Sequence, residues 1–142
     1  MGGKEKVRIF LVDDDPLFSK SLENVFFGKD EFEIISFHSS KDCLANLGKK
    51  PDIVVLDYNL DGIDKTSPNG LTTLKKIKEQ APETRVIMLS SQDRIEVVVN
   101  CMKNEASDYI VKNETAFVRL KIAIKNIFSH PSSPKTIERW DW

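Results

Sequence analysis

A surplus of one charge is missing from this chain: 21 Lys and Arg face 22 Asp and Glu, for a formal net charge of -1 at pH 7. That balance removes the electrostatic argument for binding nucleic acid or an anionic membrane surface. The basic group Lys75, Lys76 and Lys78 falls on an expected helix and reads as a solvated face. Cysteine is scarce. Cys43 and Cys101 stand alone, with no CxxC pair and no histidine at ligand spacing, so they read as partly buried free thiols in a reducing compartment. Long apolar runs are absent, which leaves no expected membrane span or signal peptide and points to a cytoplasmic protein. Gly2 does not make a myristoylation signal, because Lys6 stands where Ser or Thr is required. Internal repeats and low-complexity tracts are also missing.

What is present is short, apolar and regular. At 142 residues the chain suits one domain with its own core. Strand-like runs are expected at Val7–Val12, Phe32–Phe37, Ile53–Leu56, Val86–Leu89 and Tyr109–Val111. Helices are expected between and after them: from Pro16 with Phe18, Leu22, Val25 and Phe26 on one face, over Lys41–Leu47 after Ser39–Ser40, over Leu71–Gln80, over Arg94–Lys103, and over Thr115–Phe128 with Phe117, Leu120, Ile124, Ile127 and Phe128 aligned. The first, third and fourth strands are nearly continuous apolar runs, as strands covered on both faces are. Phe32–Phe37 is more polar and suits an edge. Five alternating units imply an α/β fold with right-handed crossovers, a flavodoxin-like (βα)5 doubly wound parallel sheet in the order 2-1-3-4-5. Residues 1–128 are expected to form the domain. Residues 129–142, with His130, Pro131, Ser132, Ser133 and Pro134, read as a linker or tail, although Trp140 and Trp142 are unusual there.

Four of those strands end in polar residues: Asp13 and Asp14, Asp57, Ser90 and Lys112. In an open parallel sheet, such ends meet along one edge where ligands bind. Adjacent carboxylates suit magnesium, which prefers hard oxygen ligands and retains several waters. Asp13 and Asp14 would hold the ion, Asp14 directly. Asp57 would complete the site, and Asn59 could add its backbone carbonyl. Asp57, central among these groups, is the best candidate to accept a phosphoryl group covalently. Lys112 would bring positive charge to the phosphate and Ser90 a hydroxyl. Each residue alone has a plainer role, as a strand-end cap or a surface charge. Their coincidence at four strand ends carries the reading.

The segments Phe10–Pro16 (FLVDDDP), Ile53–Leu60 (IVVLDYNL), Val86–Asp93 (VIMLSSQD) and Ala106–Lys112 (ASDYIVK) together resemble the receiver domain of two-component response regulators, over about residues 6–128. The resemblance implies that Asp13, Asp14, Asp57 and the Asn59 carbonyl bind Mg2+, that Asp57 takes phosphate from a sensor histidine kinase or histidine phosphotransfer protein, and that Ser90 and Lys112 contact the phosphoryl group. It further implies that Tyr109 swings inward upon activation. An effector would then dock on the face made by the fourth helix, fifth strand and fifth helix. A receiver is a regulatory phosphoacceptor, not an enzyme acting on an outside substrate. Three features depart from the pattern. The loop Leu60–Gly70 is several residues longer than usual, and carries Asp61, Gly62, Asp64, Pro68 and Asn69. Asn113 follows Lys112 where proline is usual. Glu105 stands near a helix end where glycine is common.

Rival readings are a pseudo-receiver that docks without phosphorylation, a haloacid-dehalogenase-like phosphatase and a flavin mononucleotide carrier. The phosphatase needs a second acid where Asn59 stands, on the first strand. The carrier needs a phosphate loop where Asp13–Asp15 would repel one. His38 and His130 read as ordinary surface or packing residues.

Overall fold

A computed structural model describes residues 6–60 and 69–129. Its elements, in chain order, are β1 (Val7–Val12), α1 (Pro16–Val25), β2 (Phe32–Phe37), α2 (Ser40–Ala45), a 3-10 turn (Leu47–Lys49), β3 (Ile53–Asp57), α3 (Gly70–Gln80), β4 (Arg85–Ser90), α4 (Ile95–Lys103), β5 (Asp108–Val111) and α5 (Ala116–Ser129). The five strands are parallel in the order β2-β1-β3-β4-β5, as the alternation implied. The polar strand β2 is indeed an edge. The expected boundaries shift by a residue or two at most helix ends, and α5 runs through Ser129, one residue into the expected tail. The second expected helix breaks after Ala45 into the 3-10 turn. Met1–Gly3, Asp61, Gly62, Asp64, Pro68, His130, Trp140 and Trp142 lie outside the described residues.

Strand alternation splits the core in two. Ile9, Leu11, Ile53, Val55, Ile87 and Leu89 face α1 and α5, packing with Leu22, Phe26, Leu120 and Ile124. Their neighbours Phe10, Val12, Val54, Leu56, Val86 and Met88 face the other side, against Leu74, Ile77, Val97 and Cys101 of α3 and α4. Successive residues of a strand point to opposite faces, so a strand covered on both sides must be apolar throughout. Cys43 and Cys101 are wholly buried rather than partly so, and burial pushes the Cys43 thiol up to about 12.

Local chemistry sets the helix ends nearest the acidic strand ends. Asp15 caps α1 by accepting from the Leu17 and Phe18 amides. Asn69 caps α3 by accepting from Thr72 N–H. Gly70 then passes so close to the end of β3 that a Cβ there would lie 2.4 Å from Tyr58 Cα, and its N–H donates to the Tyr58 carbonyl at 3.0 Å. No larger residue fits that approach. At the far end of α4, Glu105 takes φ 72°. Its N–H and that of Ala106 donate to the Met102 and Cys101 carbonyls, a left-handed helix stop built without glycine. The described backbone contains no cis peptide, including after Lys112.

Candidate functional site

β1 is flanked by β2 and β3, so the chain leaves it in one direction and later returns in the other. The C-terminal ends of β1 and β3 border that reversal, where a crevice opens in such sheets. Asp13 follows β1 and Asp57 ends β3, and both side chains are buried, with Asp13 only 1% exposed and Asp57 3%. Asp14 is half-buried beside them. One carboxylate oxygen from each of the three lies within 4.8 Å of the others.

Among the described residues, the Lys112 ammonium answers this charge. Lys112, just beyond β5, reaches across the sheet edge to place Nζ 3.0 Å from Asp13 Oδ2 and 3.3 Å from Asp57 Oδ2. Asp13 Oδ1 accepts from the Asp15 amide at 2.8 Å, so both Asp13 oxygens are engaged. Asp57 Oδ1 accepts from the Asn59 amide at 3.1 Å. These donors do not balance the site. Burial, followed by repulsion from Asp13, raises the Asp57 carboxyl from 3.8 to about 7, against the opposing pull of Lys112 and the Asn59 amide. Burial works against the Lys112 charge, but Asp57 and Asp13 more than offset it and hold the ammonium above its ordinary value.

The other expected residues gather at the same edge. Ser90 ends β4 fully buried, and its hydroxyl accepts from the Gln92 amide at 3.0 Å. Asn59 sits in the turn after Asp57, its side-chain amide 3.4 Å from the Ser91 hydroxyl. Tyr109, at the start of β5, is half-buried against the α3–α4 side of the core and donates its hydroxyl to the Gln92 carbonyl at 2.8 Å. Burial raises that phenol, against a smaller lowering by the Ser90 hydroxyl. The loop beginning at Ser90 thus links the β4 end to the tyrosine.

Three contacts have no counterpart in the sequence reading. The Phe18 ring lies under Lys112, with Nζ 4.5 Å from its centroid, and stacks on Phe117 with centroids 5.7 Å apart. His38, read as an ordinary surface or packing residue, places Nδ1 3.1 Å from the Asp13 carbonyl oxygen. Phe18 follows the Asp15 cap by three residues, so the first turn of α1 must hold it near the acidic edge; that is the one signal that could have placed it.

The donor set fits a magnesium ion. Three carboxylates converge, the cation that the described residues place among them is Lys112, and burial with repulsion from Asp13 raises the central acid. A hard dication relieves that repulsion directly.

The sequence matches the model of the response regulator receiver domain over residues 9–125. The nitrate/nitrite response regulator NarL of Escherichia coli K12 is 27% identical over 115 residues, which cover 80% of this chain and 51% of that protein. A nitrate/nitrite response regulator homologue from Haemophilus influenzae is 26% identical over 112 residues, covering 78% and 51%. The receiver domain of NtrX from Brucella abortus matches with a TM-score of 0.70 at 29% identity, covering 82% of this chain and 94% of that one. The chain spans about half the length of these curated relatives.

Proposed function

Because the chain belongs to the response regulator receiver domain family, we propose that it is a phosphoacceptor switch that carries its phosphate on Asp57. The observation that carries this reading is the Lys112 ammonium set between Asp13 and Asp57 beside a third carboxylate. Asp13, Asp14, Asp57 and the Asn59 carbonyl would hold magnesium. When bound, the ion supplies positive charge to the oxygens of the transferred group. An Asp57 oxygen bonds to phosphorus as the nitrogen–phosphorus bond of a phosphohistidine breaks. The electron pair stays with the imidazole nitrogen, which is then protonated. Lys112 turns from the carboxylates toward the new phosphoryl oxygens, and the Ser90 hydroxyl donates to another. These residues serve the domain's own phosphorylation and dephosphorylation in the cytoplasm, with a sensor histidine kinase or histidine phosphotransfer protein as donor. Residues 1–128 would be the receiver and 129–142 a linker or tail.

The output face in this reading is the α4–β5–α5 side. Ile95, Val99 and Met102 recur along α4 at the spacing of one face and are 76%, 41% and 44% exposed. Val118 and Ile122, one turn apart on α5, are 59% and 52% exposed. A short helix apolar on its outer face as well as its inner one suits a partner. A pull of phosphate on Ser90 would reach Tyr109 through Gln92, which both residues contact.

Acetyl phosphate with magnesium should add one phosphate by intact mass, and Asp57→Asn or excess chelator should prevent it. An adduct that persists in Asp57→Asn places the acceptor elsewhere. No adduct under any condition favours a docking module without phosphorylation. Beryllofluoride should shift amide NMR signals across α4 and β5, and Ser90→Ala should blunt that response while phosphorylation continues.

A further inference from the structure

The geometry points to Phe18 as a positioning residue for the phosphoryl group, acting through the Lys112 ammonium. This rests on the reading of Lys112 as the cation that meets the phosphate. A lysine is a flexible stem ending in a compact charge, and many rotamers compete with the useful one. Here two carboxylates hold Nζ from one side, at 3.0 and 3.3 Å. The third contact is the Phe18 ring face, 4.5 Å from Nζ to centroid. The ring is itself fixed. It lies on the first turn of α1, behind the Asp15 cap, and stacks on Phe117 of α5. Lys112 therefore rests on a platform built from the two helices that cover one face of the sheet, and its side chain is only 18% exposed.

The ring does what a carboxylate could not. It attracts the cation without competing as a hydrogen-bond acceptor, so Nζ remains able to donate to phosphate oxygens. It also excludes water from one side of the charge, which strengthens the field Lys112 exerts on an incoming phosphoryl group. When phosphate arrives and the contacts with Asp13 and Asp57 loosen, the ring still holds the ammonium at the crevice.

The experiment replaces Phe18 site-specifically with 4-fluoro-, 3,5-difluoro- and 3,4,5-trifluorophenylalanine, which keep the shape of the ring while stepping down the negative charge of its face. Labelling by acetyl phosphate with magnesium should slow stepwise, by roughly three- to tenfold across the series. Phe18→Leu should show at least the full loss, and Phe18→Trp should restore the rate. In metal-free protein, ring current should move the Lys112 ε-methylene proton signals upfield, and Phe18→Leu should return them to ordinary values. A flat fluorine series, or ε-methylene signals unmoved by Phe18→Leu, overturns the inference. Lack of labelling in the unmodified protein would instead defeat the phosphoacceptor reading, so the two failures are distinct.

Discussion

The two edges of this sheet are made from the same strands and solve opposite problems. At the edge where the strands begin, polar groups are matched. Arg8 and Asp52 exchange contacts, the Arg8 amide donating to Asp52 Oδ2 and the Asp52 amide to the Arg8 carbonyl, each at 2.8 Å. The Arg8 guanidinium also pairs with Glu33 at 3.1 Å and donates to the Lys49 carbonyl. Thr84 donates to the Pro51 carbonyl at 2.8 Å. Lys78, expected on a solvated face, bends back to donate to the carbonyls of Pro82 and Thr84 at 2.8 and 2.9 Å, while Lys75 and Lys76 are exposed as expected. At the edge where the strands end, three carboxylates crowd one ammonium, and burial with repulsion lifts the central acid to about 7. Matched groups hold a fold together; a mismatched set with two of its three acids buried is a candidate ligand site.

The contrast breaks hardest at Lys112. Lys112→Met leaves Asp13 and Asp57 buried without their cation, and should cost about 3 kcal/mol of stability at pH 7.5. The loss should shrink toward pH 5, where Asp57 takes up a proton. Urea unfolding at the two values checks this, and a loss of equal size at both would contradict it.

Next comes Asp57→Asn, which should stabilise the metal-free protein. The folded Asp57 carboxyl lies above its ordinary 3.8, at about 7, so the folded state holds this proton more tightly than the unfolded state. Its contribution is full below about pH 4 and is lost as pH rises through about 7. The variant should therefore gain steadily on the parent as pH rises over that window. Saturating magnesium should narrow the gap. Melting curves between pH 4 and 8, with and without the ion, measure both effects.

Thr84→Val tests the matched edge. It strands the buried Pro51 carbonyl and should cost about 1–2 kcal/mol, equally at pH 5 and pH 8, with an unchanged labelling rate by acetyl phosphate. A pH-dependent loss or a slowed rate would blur the division between the two edges. The smallest expected effect lies away from both. Glu105→Gly should stabilise by about 1 kcal/mol, because glycine adopts φ 72° without the steric cost a side chain carries. Denaturant midpoints resolve a change of that size.

The division also explains what could be read in the chain beforehand. β1, β3 and β4 announce themselves because burial on both faces demands unbroken apolar runs, and a polar residue directly after such a run is conspicuous. Asp13, Asp57 and Ser90 were visible for that reason, Lys112 stood out only after the shorter run Tyr109–Val111, and the strand order followed from the alternation. Phe18 was visible only as an apolar residue of a helix face, because its contact with Lys112 joins residues far apart in sequence and depends on how α1 and α5 lean together. Lys78 looked like surface because nothing local shows a lysine folding back on carbonyls six residues on. Glu105 drew notice where glycine is common, but its left-handed backbone and helix stop show only in three dimensions.

The seam between Tyr58 and Gly70 has a practical use as an insertion port. Gly70 N–H bonds to the Tyr58 carbonyl, and the clearance there is too small for a Cβ. Whatever polypeptide is spliced between residues 60 and 69 therefore departs and returns through one fixed gate, a few residues from Asp57. Each doubling of the spliced length should cost only about 0.6 kcal/mol of closure entropy. A fluorescent reporter or a foreign recognition peptide grafted at this port would be tethered within a few residues of Asp57.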